Sequence, residues 1–203
     1  TVSLSKPLED TWGWMVGYTY TNATEVNPLT SSRAISNWSN IGVFDPNGNE
    51  AATSNYEIRH RFIASLQFRK AFFGDYNTTL SAFYEGRSGT PHSWRYLNDM
   101  NGDSYTNDLL YVPSGPGDVL FSGGAAMEAS FFDWLERTPD LARFRGRVAE
   151  RNGSRNPWVN TIDIRISQEL PGFFKGHKSE IWLDVMNVGN LINKDWGLIE
   201  YQS

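Results

Sequence analysis

The sequence predicts an all-β fold: a segment of a transmembrane antiparallel β-barrel with long extracellular loops, one of them carrying short helices. Three observations point there. Several segments alternate apolar and polar side chains with the period of two that a half-exposed strand requires. The connections between them alternate between short turns and long loops. Rings gather near the ends of the apolar rows, at Trp12, Tyr20, Phe72, Phe73, Tyr84, Phe173 and Phe174, as in the interfacial girdles of membrane barrels.

Strands are expected near residues 2–6, 12–21, 58–70, 78–88, 159–169 and 180–188. In the second, Trp12, Trp14, Val16, Tyr18 and Tyr20 form one row, opposite Gly13, Met15, Gly17 and Thr19. The third is the clearest, with Ile58, Phe62, Ala64, Leu66 and Phe68 facing away from Arg59, Arg61, Ser65, Gln67 and Arg69. In the fourth, Leu80, Ala82 and Tyr84 oppose Thr79, Ser81, Glu85 and Arg87, and Phe83 is the exception on the polar side. Ile162, Ile164 and Ile166 oppose Asp163, Arg165 and Glu169 in the fifth; Ile181, Leu183 and Val185 oppose Trp182, Asp184 and Met186 in the sixth.

The breaks KPLED, AFFGDY and PGFFKGHK are short and carry the Gly, Pro, Asp and Lys of hairpin turns. Between them lie two connections, about 22–57 and 88–157, far longer than the ~15 residues usual for a loop inside a compact domain. In the second, Met127, Phe131, Trp134 and Leu135 recur at helical spacing. Thr138-Pro139-Asp140 then reads as an N-cap with proline at the first helical position, leading to Leu141, Phe144 and Val148. A soluble antiparallel sheet resting on a core would show the same alternation. It would, however, have to bury its rows beneath loops that are mostly polar.

Composition narrows the functional classes. With 18 Lys plus Arg against 23 Asp plus Glu, the formal charge of −5 argues against general nucleic-acid binding. No window approaches the ~18 apolar residues of a spanning helix. Zero Cys excludes disulfides, thiolate metal sites and a cysteine nucleophile. Rings make up 14% of a chain whose mean hydropathy is only −0.47, an excess that interfacial girdles explain.

The run RNGSRNPWVNTIDIRISQELPGFFKGHKSEIWLDVMNVGNLINKDWG, Arg151 to Gly197, resembles the C-terminal barrel region of Oar-like TonB-dependent outer-membrane receptors. The stretches GYTYTNATEVNP, SNYEIRHRFIASL, TTLSAFYEGRSGTP and NDLLYVPSGPGDV resemble that family too, in the same order, so the likeness covers nearly the whole chain. It implies residues 1–203 as part of a barrel of about 22 strands in the bacterial outer membrane. It further implies a plug domain, signal peptide and last strands lying outside this chain. Contact with TonB would be made through that N-terminal part, and the wall would meet outer-membrane lipid.

Under that resemblance Arg59, Arg61, Arg69, Glu85, Arg87, Asp163, Arg165, Glu169 and Asp184 fall on a lumen face, where charge is hydrated. The loop aromatics Trp38, Trp94 and Tyr96 are candidates for holding an unidentified solute. Asp99, Asn101, Asp103, Asn107 and Asp108, with the Tyr105 carbonyl, resemble the first two-thirds of a Ca²⁺ loop. Gly102 comes early for that motif and Leu110 stands where a bidentate Glu belongs, so a metal-free Asx-turn network is the alternative. His60, His92 and His177 show no ligand or triad spacing, and no catalytic residue is expected. Three functions follow: a transporting receptor that passes a solute across the outer membrane without covalent chemistry, a non-transporting surface-binding or adhesive barrel, and an outer-membrane hydrolase. The scattered histidines disfavour the last.

Overall fold

The computed structural model describes residues 1–199 and divides into two compact units. The first gathers Thr1–Thr21, Ile58–Gly89 and 157–199; the second gathers Asn22–Glu57 and Thr90–Asn156. The two long connections read from sequence are thus one folded unit of their own.

The first unit is a six-stranded sheet whose spatial order is the order of the chain: β1 (Val2–Lys6), β2 (Trp12–Tyr20), β3 (His60–Phe73), β4 (Tyr76–Arg87), β5 (Val159–Pro171) and β6 (Lys178–Val185). Every neighbouring pair is antiparallel, as expected. Strand exceeds helix, at 39% against 14%, which makes the chain mainly β, and no described helix is long and apolar enough to cross a membrane. Gly74 and Asp75 join β3 to β4, with Gly74 at φ +61°, a left-handed conformation that glycine adopts without steric cost. The three hairpin turns lie at one end of the sheet, and the chain leaves for the second unit only from the other end, after Tyr20 and Arg87.

β6 ends at Val185 instead of running to residue 188. Asn187 takes φ +50°, donates its N–H to Asp163 Oδ1 at 2.7 Å, and starts the 3₁₀ turn Val188–Leu191. Asparagine tolerates the left-handed region because its short amide can bond locally, so the strand is broken here by side-chain chemistry that alternation does not register.

The second unit contains the hydrophobic core of the described residues. Val112, Leu135, Leu141, Phe144 and Ala149 are buried, and Trp94, Leu110, Phe131 and Phe132 pack on them. Three two-residue ladders frame it: Thr24–Glu25 with Ala52–Thr53, Pro91–His92 with Ser154–Arg155, and Tyr111–Val112 with Arg147–Val148. The expected first helix of the long loop is α2 (Gly124–Glu136); a shorter one, α1 (Ala34–Ser39), was not foreseen.

The second expected helix begins where expected, with Thr138 at the N-cap position and Pro139 as its first residue, but it is short. α3 covers only Pro139–Ala142, and Thr138 makes no side-chain cap. The Thr138 hydroxyl donates backwards to the Trp134 carbonyl at 3.0 Å, and no N–H of the next turn bonds to it. Val148 belongs to a ladder, not to a helix.

Two chain segments far apart in sequence are fastened together by a few polar side chains. The Arg151 guanidinium donates to the carbonyls of Val26 and Glu25, both at 2.6 Å. Asn152 donates to Thr53 O at 2.7 Å and Asn55 Oδ1 at 2.6 Å. Glu57, with 1% exposure, pairs with Arg155 and accepts the Ala23 N–H at 2.6 Å. A buried carboxylate needs such partners, since leaving one unpaired costs several kcal/mol.

Candidate functional site

The register turns the alternation of single strands into two continuous faces. Leu4 pairs with Val16, Val16 with Ala64, Leu66 with Ala82, Leu80 with Ile166 and Ile166 with Leu183, so the apolar rows join across all six strands. That face is uncovered. Leu4, Val16, Leu66, Leu80, Ile166 and Leu183, one from each strand, are between 44% and 68% exposed. Within this unit Val159 is the only large hydrophobic side chain among the described residues that counts as buried. Water-soluble proteins seldom leave so broad an apolar surface open.

Rings mark both ends of the face. Towards the hairpin turns stand Trp12, Phe72 and Phe73, exposed. At the other end Tyr18 shares a hydrogen bond with His60 Nδ1 at 2.9 Å, and Asn160 Oδ1 accepts from Tyr84 Oη at 2.8 Å and Trp158 Nε1 at 3.0 Å. Tyr84 and Trp158 close over Gly86, where an added Cβ would lie 2.3 Å from Tyr84 Oη.

The opposite face holds the charges, and most are paired. Arg61 meets Glu85 at 2.6 Å, Arg87 lies 3.9 Å from the same carboxylate, and Lys178 meets Glu169 at 2.7 Å. Arg165 grips Asp184 through two bonds. Asp163 acts differently: it accepts the Asn187 N–H and so fixes the end of β6. The Arg69 N–H donates to Thr11 O and the Arg59 carbonyl accepts the Thr21 N–H, which extends the β2–β3 pairing by a residue at each end. A depression of about 350 Å³ opens on this face among Gln67, Ser81, Phe83, Asp163, Arg165, Asp184 and Met186.

In the second unit the structure brings together two of the three candidate aromatics with the Asp/Asn turn. The Trp38 ring stands edge-on to Tyr105 at 5.2 Å, its Nε1 donates to Pro46 O at 2.8 Å, and its carbonyl accepts from Asn107 Nδ2 at 3.2 Å. The Tyr96 N–H donates to Asp108 O at 3.0 Å. Trp94 is placed otherwise. It packs on the core, 5.7 Å from Trp134, and its Nε1 donates to Ser154 Oγ at 2.9 Å, so both its ring and its polar edge are occupied within the unit. Phe44, Leu97 and Met100 were not singled out from sequence, yet they are exposed and adjoin residues of this cluster. Their signal was there: large apolar side chains in otherwise polar loops.

The Asp/Asn turn spends its oxygens on backbone N–H groups. Asp99 accepts from Gly102 at 2.6 Å, Ser104 at 2.8 Å and Asp103 at 3.2 Å; Asn101 Oδ1 accepts from Asp103, Asp103 from Tyr105, and Asp108 from Met100. These donors, the Ser104 N–H foremost, hold the Asp99 carboxyl below the usual carboxylate range. Gly102 at φ +81° and Ser104 at φ +74° shape the turn. Among the described residues no three His, Cys, Asp or Glu side chains converge as a metal site, and these oxygens form Asx turns. Asn107 bonds through its Nδ2 to the Trp38 carbonyl.

His92 is the one histidine in an unusual setting. Both ring nitrogens are buried without hydrogen-bond partners, the ring stands edge-on to Trp94 at 5.2 Å, and burial lowers its pKa against the opposing pull of Asp140. Comparison with protein-family models, curated proteins and solved structures finds no match to this chain.

Proposed function

We propose that this chain forms part of the wall and the outer loops of an Oar-like TonB-dependent receptor in the bacterial outer membrane, binding a solute through its loops and passing it across the membrane without covalent chemistry. The observation that carries the reading is the uncovered apolar face running through six antiparallel strands, opposite a face of paired charges. In water that face would be costly, at roughly 25 cal/mol per Å² left exposed; against acyl chains it is at rest. Its height supports the same reading. Phe62 and Phe72, rings towards the two ends of β3, lie ten residues apart, about 33 Å along the strand, which at the ~40° tilt of barrel strands projects to about 25 Å, close to the spacing of the two aromatic girdles of a membrane barrel.

Recognition is assigned to the second unit, since it has its own core and presents exposed side chains on loops. The charged face would line the lumen, where ion pairs stay hydrated and can rearrange. The open edges of β1 and β6 would find further strands of the same barrel, because an unpaired backbone group in hydrocarbon costs several kcal/mol. The test is deletion of residues 92–157 in the full-length protein, with folding checked by heat-modifiable gel mobility. The variant is expected to assemble in the outer membrane and to lose surface binding and energy-dependent uptake. Full uptake by a correctly folded variant would overturn the assignment.

A further inference from the structure

The apolar face ends in lysines at one rim only. Lys6 closes the β1 row after Leu4, and Lys70 follows Phe68 in the β3 row. Each carries its ammonium over a ring on the turn side. Lys6 Nζ stands 4.7 Å from the Trp12 ring centroid and donates to the Trp12 carbonyl at 2.7 Å; Lys70 Nζ stands 5.5 Å from the Phe72 ring. A lysine that lifts its charge over an interfacial ring at the end of an apolar row has the posture of a snorkelling side chain.

The row line beyond Phe68 and Leu80 turns polar at the same level, as Lys70, Thr78 and Gln168. The other rim differs: Tyr18, His60, Tyr84, Trp158 and Asn160 satisfy one another and no lysine or arginine lies in the apolar row. The carboxylates near the turns sit off this rim, Glu169 being held on the charged face by Lys178 and Asn77, and Glu9, Asp10 and Asp75 lying in the turns.

We propose that the turn-side rim of the apolar face is a binding site for phospholipid headgroups, with Lys6 and Lys70 engaging the phosphate while Trp12 and Phe72 seat the glycerol and upper acyl region. Charge complementarity selects the occupant. An amphiphile with an anionic phosphate above apolar chains matches an ammonium above an apolar row, and each ammonium keeps donors in excess of the bonds made within the chain. The proposal rests on the reading that the apolar face meets lipid.

The experiment uses the full-length protein reconstituted in phosphatidylcholine bilayers, with electron paramagnetic resonance of spin-labelled phosphatidylglycerol and phosphatidylcholine reporting lipid held at the protein surface. The expected result is preferential retention of phosphatidylglycerol, falling by about fivefold for each lysine removed in Lys6→Gln and Lys70→Gln, restored by Lys→Arg at both positions and weakened by salt. Motionally restricted lipid with the same headgroup preference in the double Gln variant would overturn the headgroup site and leave the lipid-facing wall standing. No restricted lipid at all around the wild-type protein would overturn both.

Discussion

Arg165 on β5 and Asp184 on β6 are register partners joined by two hydrogen bonds, Nε to Oδ1 at 2.5 Å and Nη2 to Oδ2 at 2.8 Å. One residue along, Ile166 and Leu183 are also partners, and they stand exposed on the opposite face. The same two strands therefore present a bidentate ion pair to one side and bare hydrocarbon to the other, which is the contrast that a lumen and a lipid phase demand of a barrel wall.

The ion pair itself is solvated, with side chains 57% and 40% exposed, so screening leaves it little net worth. Arg165→Gln is expected to leave the unfolding midpoint within experimental error and to change solute uptake far less than deletion of the loops. Denaturant titration and uptake assays on the same variant check both.

The second unit is expected to fail as a unit when its core is hollowed. Phe144→Ala should cost about 3–5 kcal/mol and Leu141→Ala about 2–5 kcal/mol, because both side chains are essentially inaccessible and the cavity cannot collapse fully. Amide exchange should then rise throughout 90–156 while β3 and β4 keep their protection.

Arg151 carries a different load. Its bonds to Val26 and Glu25 bind the shorter insertion to the longer one beside those of Asn152 and the Glu57–Arg155 pair, so Arg151→Met should loosen the chain around Glu25 and Val26 without emptying the core. Limited proteolysis is expected to cut first within that segment and to leave α2 intact.

The pH response follows from His92 and Asp99. His92 titrates below its ordinary value of 6.5 because of burial, so as the pH falls the unfolded state takes up the proton first. The second unit should keep its full stability above about pH 6.5 and lose some of it as the pH falls from there towards the folded pKa. His92→Phe should abolish that part of the pH dependence. Asp99, also depressed, should contribute down to the ordinary carboxylate range and lose its contribution as the pH falls below it. Asp99→Ala should expose 99–104 to protease at neutral pH, and neither calcium nor a chelator should alter wild-type cleavage there.

The sheet was legible because alternation is a local property and each hairpin turn carries its own Gly, Pro or Asp. Register is not legible in the same way, because a slip by two residues keeps every apolar side chain on the common face; the pairing of Val16 with Ala64 and of Leu66 with Ala82 comes from the folded sheet. The misses are tertiary or local chemistry. α1 has no apolar period to announce it. Thr138 has the look of a cap until its hydroxyl finds the Trp134 carbonyl. Trp94 reads as a loop ring until α2 supplies Trp134 beside it. Glu57, Arg151, Asn152 and Arg155 carry no signal in sequence, because each acts on partners about 100 residues away or more.

A nitroxide scan along β3 tests the proposed lipid-facing wall most directly, and these 203 residues contribute no native cysteine to compete for the label. Residues 62–68 of the full-length protein would be replaced one at a time by labelled cysteine in bilayers, and collisions with oxygen, which concentrates in hydrocarbon, compared with those of a water-soluble nickel chelate. The expected result is a period of two, with oxygen favoured at Phe62, Ala64, Leu66 and Phe68 and the chelate at Ile63, Ser65 and Gln67. Uniform access to the chelate, or burial of the even positions from both reagents, would contradict a membrane wall and favour a sheet that rests on a protein core.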